Sequence, residues 1–475
     1  MGYVLGCLLA IFQLSGIQIS RILSVLHYYL MITRLEVPLI REFAGVDQFD
    51  HSTSDHITKT ITEKNGHVVD LLAAVLDTHQ VDKDDIRHLR EKFASMQVST
   101  RRMENGEFSL VLEHVPEGVT YDGERITRSQ QELVSEVIRD VVLQLPFPPG
   151  SSSEVVSQTI RKMVERTGIL SSPEGKNYIR SFIWGGHTIS DEEYDFAKAV
   201  GYWEGLRGTE LITGSGGGVM RAPFVGASSG YRKQRYQDRK FIGFTEQGIL
   251  EGEAPNNLLS TLCVFPDIEK RMEAFIRASH RGRIHPGGTG TMEELMTFLG
   301  MKIHKKNEGL VYPFDLVERP DGNYMKRLEQ FFRTCFADAI DGLFSFHVES
   351  PDDYQKHLLK IDKQLDSRQV WNDKLFVPLE IQTPFEVSFE SMQALDLTRE
   401  QEPFQLIVNL RRFFSGMVHL VVKNPKVVES WGRERPKIKG DKKIIQEVDD
   451  LVRWFNDNKR LKMQLKLDKL PYRIE

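Results

Sequence analysis

The sequence predicts an α/β fold: a doubly wound parallel sheet as central domain, flanked by mainly helical or mixed N- and C-terminal domains. Two observations carry this. Between residues 178 and 315, short apolar runs alternate with helical patterns, which is how a parallel sheet with helices on both faces reads. Several runs also end directly in glycine, at Gly185-Gly186, Gly214-Ser215-Gly216-Gly217-Gly218 and Gly287-Gly288. In a doubly wound sheet such strand ends share one edge, where ligands bind. The expected strands are 181–184, 210–213, 241–244, 261–265, 282–285 and 310–313, and the expected helices 191–206, 218–229, 268–280 and 291–304.

Composition sets the class around this domain. The chain has 475 residues, 40% hydrophobic and 27% charged, enough apolar material for substantial cores. Length suggests more than one domain. The expected division is a leader at 1–30, an N-terminal helical or mixed domain at 31–170, the α/β domain at 171–330, and an α+β domain, with a candidate regulatory role, at 331–475. The first 31 residues carry an uncharged run, Tyr3 to Phe12, without a basic start. Interrupted by Gln13 and Ser15, it is short for a spanning helix and is expected to be a leader, with Met31 a second candidate start. With 62 basic and 67 acidic residues the net charge is −5, which argues against bulk attraction to nucleic acid or anionic membrane. Cys7, Cys263 and Cys335 are odd in number and far apart, so neither a disulfide framework nor a zinc motif follows. A cytoplasmic protein is the plain expectation.

The N-terminal region reads as helices at 68–76 and 133–143 and a strand at 108–112, and the Pro/Gly/Ser-rich stretch 145–153 as a linker. The C-terminal region reads as amphipathic helices, such as 443–455, with a strand at 418–422.

Three segments could carry chemistry. Thr213 to Met220 is a glycine-rich turn between strand and helix, where backbone N–H groups of Gly216, Gly217 and Gly218 can approach an anion at a positive helix start. It is neither a dinucleotide fingerprint nor a P-loop, and a ligand-free tight turn reads equally well. In Pro286-Gly287-Gly288-Thr289-Gly290-Thr291-Met292-Glu293-Glu294 a strand again ends in glycines and a helix begins. Thr291 and Glu294 there also match a capping box, which would turn Glu294 back onto its own helix. Two glycine-rich helix starts on one edge favour a shared anionic ligand. In Pro266-Asp267-Ile268-Glu269-Lys270-Arg271, Asp267 is a candidate N-cap and Arg271 falls in the first turn, either a phosphate grip or a surface arginine. His187, Glu246 and Asn256 lie at strand ends as candidate base or ribose contacts, although such polar residues are more often loop or capping groups, and Met220, closing the 213–220 segment, is a fourth candidate contact. No metal spacing and no nucleophilic triad is evident.

Together these segments resemble the LONELY GUY phosphoribohydrolases, once labelled lysine decarboxylases. Residues 286–294 fit the family's Pro-Gly-Gly-x-Gly-Thr-x-x-Glu signature, Arg271 falls at its second catalytic position, and 213–220 looks like its other glycine loop. Trp184–His187, 239–246, 266–271, 384–386, 410–416 and 440–442 are similar to the long bacterial members, in which two further domains flank the phosphoribohydrolase domain. The resemblance implies a Rossmann-like central domain and an enzyme releasing free base and ribose 5-phosphate from purine and pyrimidine nucleoside 5′-monophosphates. It implies Glu294 and Arg271 as catalytic residues, and phosphate or ribose contacts from Gly287, Gly288, Thr289, Gly290 and Thr291. A homo-oligomer, by resemblance a tetramer, and regulation by guanosine tetra- or pentaphosphate are implied as well. The basic stretch 433–443, with six basic residues in eleven, is the candidate effector site through Arg433, Arg435, Lys437 and Lys439, or simply a solvated face. No cofactor is expected: pyridoxal chemistry needs a Schiff-base lysine, and neither glycine loop has one. An enzyme specific for N6-substituted AMP, or a non-catalytic nucleotide carrier on the same fold, are the alternatives.

Overall fold

The computed structural model describes residues 34–40, 51–77, 86–103, 108–121, 125–171, 178–251, 253–461 and 470–474. The expected leader at 1–30 lies outside them. The chain forms two compact units that divide between Leu143 and Gln144.

The first unit is mixed. Strands β1 (Arg34–Pro38), β2 (Gln97–Arg102) and β3 (Phe108–Glu113) form an antiparallel sheet in the order β1-β3-β2. Helices α1 (His51–Glu63), α2 (Asn65–Leu76), α3 (Ile86–Lys92) and α4 (Arg128–Val137) accompany it. Thr127 and Gln130 close a capping box at the start of α4. The helix expected over 133–143 therefore starts earlier, and it ends in a π-helical turn, Ile138–Val142.

The second unit is built on seven strands: β4 (Arg180–Trp184), β5 (Glu210–Thr213), β6 (Phe241–Glu246), β7 (Thr261–Phe265), β8 (Arg281–Ile284), β9 (Phe314–Glu318) and β10 (Ser345–Val348). Their order is β10-β9-β8-β4-β5-β6-β7, and every pairing is parallel. The chain starts in the middle, winds outward to β7, returns to β8 and winds the other way. The reversal lies between β4 and β8, and the crevice beyond the carboxyl ends of those strands is where such sheets bind ligands.

Helices α5 (Ser153–Arg166), α6 (Asp191–Arg207), α7 (Ala222–Gln234), α8 (Ile268–Arg277), α9 (Thr289–Ile303), α10 (Tyr324–Phe336), α11 (Pro351–Asp362), α12 (Pro403–Val418) and α13 (Lys442–Asp457) surround this sheet. One apolar core runs from α5 through β4, α8 and α9 to α12 and α13. Aromatic rings fill its centre: Phe298 stacks on Phe314 at 3.9 Å between centroids, and Trp184 meets Phe275 edge-on at 5.6 Å. Arg411 of α12 reaches Glu269 of α8 at 2.7 Å, a buried ion pair that ties the C-terminal helices to the sheet domain.

Two expected strands are corrected. The run 310–313 is not a strand: Val311 is 85% exposed, and pairing begins after Pro313, at Phe314. Proline has no N–H to give to a ladder. The true strand was disguised by Asp315 and Glu318, whose charges are satisfied locally: Glu318 accepts the first N–H groups of α10, from Tyr324 at 3.0 Å and Met325 at 2.9 Å. The run 418–422 is the end of α12 and a π-helical turn, His419–Lys423. Its valines favour strand, but Met417 and Leu420, three residues apart, are both buried in the core, and tertiary packing overrides propensity.

Candidate active site

Three glycine-bearing turns meet at the switch point. Gly186 donates its N–H to the Pro286 carbonyl at 3.0 Å, and Val219 donates to the Gly186 carbonyl at 3.1 Å. The turns following β4, β5 and β8 are thus laced together by their backbones. Only glycine fits two of these positions. At Gly218, φ is +54° and an added Cβ would lie 2.2 Å from the His187 carbonyl oxygen. At Gly287 it would lie 2.0 Å from Thr291 Oγ1.

From the Gly287-Gly288 turn, α9 begins at Thr289 with Gly288 as N-cap and no capping side chain. The capping-box reading of Thr291 and Glu294 is therefore not what the structure shows. The first N–H groups of the helix lack intrahelical acceptors, as at any helix start, and carry its positive end. Glu294 turns away from the cap to Arg271, whose Nη2 donates to Glu294 Oε1 at 3.0 Å. Arg271 stands in the first turn of α8, where Asp267 caps through Lys270 N at 3.0 Å. The guanidinium side chain is 4% exposed and the carboxylate 13%. Arg271 Nε is buried without a hydrogen-bond partner. Burial pushes the Glu294 carboxyl up to about 8; Arg271 opposes this and Glu293 adds to it. Burial thus acts on this carboxyl more strongly than the guanidinium beside it.

The β5 turn has an internal brace that the sequence did not reveal. Glu253 Oε1 accepts from Gly217 N at 3.0 Å and hydrogen-bonds His187 Nδ1 at 2.7 Å. Asn256 holds the same turn, donating from Nδ2 to the carbonyls of Ser215 at 2.9 Å and Gly216 at 3.3 Å. His187 and Asn256 are thus engaged with the loop itself. Met220 packs under it, with Sδ 2.7 Å from where a Cβ on Gly214 would stand.

A cavity of about 210 Å³ is lined by Glu246, Asp267, Glu293, Phe385, His419 and Lys423 among others; Glu293 is the neighbour in sequence of Glu294, which does not itself line it. Glu246 pairs with Lys423, which the π-helical turn after α12 delivers. Burial raises the Glu293 and Asp267 carboxyls, which Lys423 and Lys270 respectively oppose. Arg460 approaches from beyond α13: its Nη2 meets Glu193 Oε1 at 2.7 Å, and its carbonyl oxygen lies over Gly288. Residues from the C-terminal region therefore help to line and hold the site, which local motifs could not indicate. Of the basic stretch, Arg435 donates to the carbonyls of Leu470 at 3.1 Å and Gly432 at 2.9 Å, and Lys437 bridges to Arg473. The Arg433 carbonyl accepts from Arg473, and Lys439 opens the short strand Lys439–Gly440.

The parallel sheet belongs to a LONELY GUY-like α/β domain, and residues 227–341 match the family model described as "Possible lysine decarboxylase". Residues 356–475 match a second model, "Pyrimidine/purine nucleotide monophosphate nucleosidase, C-terminal". The pyrimidine/purine nucleotide 5′-monophosphate nucleosidase of Escherichia coli K12 is 32% identical over 452 residues, covering 91% of this chain and 94% of that one. The chain belongs to this nucleosidase family. Among solved structures, the molybdenum cofactor binding protein of Rippkaea orientalis covers 40% of the chain at 19% identity with a TM-score of 0.29, too low to bear on function. Among the described residues no helix is long and apolar enough to cross a membrane.

Proposed function

We propose that the chain hydrolyses the N-glycosidic bond of purine and pyrimidine nucleoside 5′-monophosphates, giving free base and ribose 5-phosphate. The observation that carries this is the buried Arg271–Glu294 pair at the switch point, beside an uncapped helix start. Family membership supports the same reading.

In this mechanism the 5′-phosphate sits on the N–H groups of Gly288 to Thr291, with the helix dipole behind it. Fixing the phosphate positions the ribose against the acid–guanidinium pair, which accelerates reaction through orientation. The C1′–N bond breaks with its electrons leaving on the base, and the sugar becomes oxocarbenium-like. Glu294, as carboxylate, stabilises that charge and orients the ribose hydroxyls or the attacking water. Water then adds its oxygen to C1′, and its proton balances the departing base. Arg271 holds Glu294 and offers its unpartnered Nε–H to the substrate. Because these contacts address phosphate and ribose, several bases are accepted. Incubating the protein with AMP, CMP and N6-isopentenyl-AMP and assaying ribose 5-phosphate tests this; turnover of the substituted nucleotide alone would favour a narrower enzyme, and no turnover would sink it.

A cytoplasmic homo-oligomer in nucleotide salvage, controlled by guanosine tetra- or pentaphosphate at Arg433, Lys437 and Lys439, completes the proposal on family resemblance. Arg435 contributes less, since its guanidinium already serves backbone carbonyls. Size-exclusion chromatography and an effector titration against an Arg433→Ala/Lys439→Ala variant check these points.

A further inference from the structure

Another cluster of polar side chains lies outside the segments that meet at the switch point. β9, β10 and α11 bring Asp315, His347 and His357 together, with one possible ligand atom from each within 4.8 Å of the others. His347 Nε2 is 3.5 Å from Asp315 Oδ1, and His357 Nε2 is 3.3 Å from Asp315 Oδ2. A tetrahedral ion with bonds of about 2.0–2.2 Å holds neighbouring ligand atoms roughly 3.3–3.5 Å apart.

The surroundings fit the same occupant. Both Nε2 atoms are buried and face the Asp315 carboxylate, at 3.5 and 3.3 Å, without a well-aligned hydrogen bond. His347 Nδ1 is engaged by Glu349 Oε1 at 2.8 Å. A carboxylate on one imidazole nitrogen takes its N–H and turns the other nitrogen's lone pair inward, the usual support of a zinc-ligating histidine. Tyr354 donates its hydroxyl to Asp315 Oδ2 at 2.8 Å and fixes that carboxylate. A cation seated between the two Nε2 atoms and the Asp315 carboxylate would be held by all three.

We propose that Asp315, His347 and His357 bind a zinc ion, with water in the fourth position, and that the ion clamps edge strand β10 and helix α11 onto β9. Two imidazoles and one carboxylate suit zinc better than magnesium or calcium, which favour oxygen donors. The ligands come from three separate elements and follow no compact spacing motif, so the sequence carries no sign of them.

The test uses untagged full-length protein stripped with chelator and dialysed. Zinc is titrated by calorimetry, and thermal unfolding is followed with and without it. One zinc per chain and a raised unfolding midpoint are expected. Binding should weaken at least about 10-fold in His357→Gln and in Asp315→Asn, and also in Glu349→Gln, which changes only the support. AMP hydrolysis by His357→Gln should match the parent, showing that the fold survives. No saturable zinc uptake by the parent overturns the proposal, whether or not the variants fold. So does uptake unchanged in all three variants, or a stability that responds to pH but not to zinc.

Discussion

Arg271 Nη2 stands 3.0 Å from Glu294 Oε1, joining the first turn of α8 to the first turns of α9 across 23 residues of sequence. The pair joins two ordinary helix starts at one buried corner. It also removes the simplest structural role for Glu294, since the cap of its own helix is formed without it.

Glu294→Gln keeps the shape and the contact to Arg271 but cannot carry the negative charge that the sugar cation calls for. Base release from AMP should fall by about 10²–10⁴-fold, the range for loss of a positioned acid or base. The circular dichroism spectrum should stay that of the parent. A variant that still releases adenine at the parent rate would remove Glu294 from the mechanism.

The pH behaviour follows from the same carboxyl, raised by burial to about 8 from an ordinary 4.5. If the ionised form acts, kcat/KM for AMP should rise with pH through about 8, well above the second phosphate ionisation of the nucleotide near about 6. Arg271 lowers this carboxyl, so Arg271→Ala should move the rising limb to higher pH. A flat profile between about pH 7 and 9 would contradict a carboxylate role.

Stability should run the opposite way. A group whose folded pKa lies above its unfolded value contributes fully below the unfolded value, and that contribution is lost as pH rises through the folded one. For Glu294 the window runs from 4.5 to about 8. Each pH unit crossed inside it costs up to about 1.4 kcal/mol. The unfolding midpoint of the parent should therefore drop between those values more than that of Glu294→Gln. Parallel curves would mean that the carboxyl is not desolvated as its surroundings imply.

The sheet and its ligand edge were legible because strand–helix alternation and glycine at strand ends are local signals. Arg271 and Glu294 were legible only as motif positions, since nothing local says that one side chain faces the other. Asp315 and Glu318 hid a buried strand, because a charge on a strand reads as solvent-facing until its partner is known. Glu253, Lys423 and Arg460 were missed for a related reason. Each acts on a turn or strand end far away in sequence, and an isolated charged residue looks the same whether it braces a loop or faces water.

Glu253 already occupies the Gly217 N–H, so a phosphate on that donor would meet a carboxylate. This favours the α9 start as the phosphate seat and Glu253 as a brace. Glu253→Ala should raise KM for AMP by about 2- to 12-fold, equivalent to one ordinary hydrogen bond, with kcat little changed. Steady-state kinetics decide between the roles, since a fall in KM would mean that Glu253 competes with the phosphate for the loop.

Gly288 and Gly290 lie two residues apart, yet their surroundings set opposite expectations. An added Cβ at Gly288 would come 2.4 Å from the Arg460 carbonyl oxygen, a backbone atom. Arg460 has little freedom to yield, being tied to Glu193 and laid against the rings of Tyr324 and Trp454 at 5.0 and 5.5 Å. At Gly290 the Cβ would meet only Val418 Cγ2 at 3.8 Å, an ordinary contact. Gly288→Ala should destabilise the protein by about 1–3 kcal/mol, as overpacking does. Gly290→Ala should hold the parent's stability or gain up to about 1 kcal/mol, because alanine in a helix loses less chain entropy than glycine. Thermal unfolding of the two variants side by side checks this, and equal midpoints would show that the 460 segment does not press on the turn. If the phosphate rests on the same helix start, Gly290→Ala should also raise KM for AMP while the fold remains intact, separating a binding role for this turn from a purely structural one.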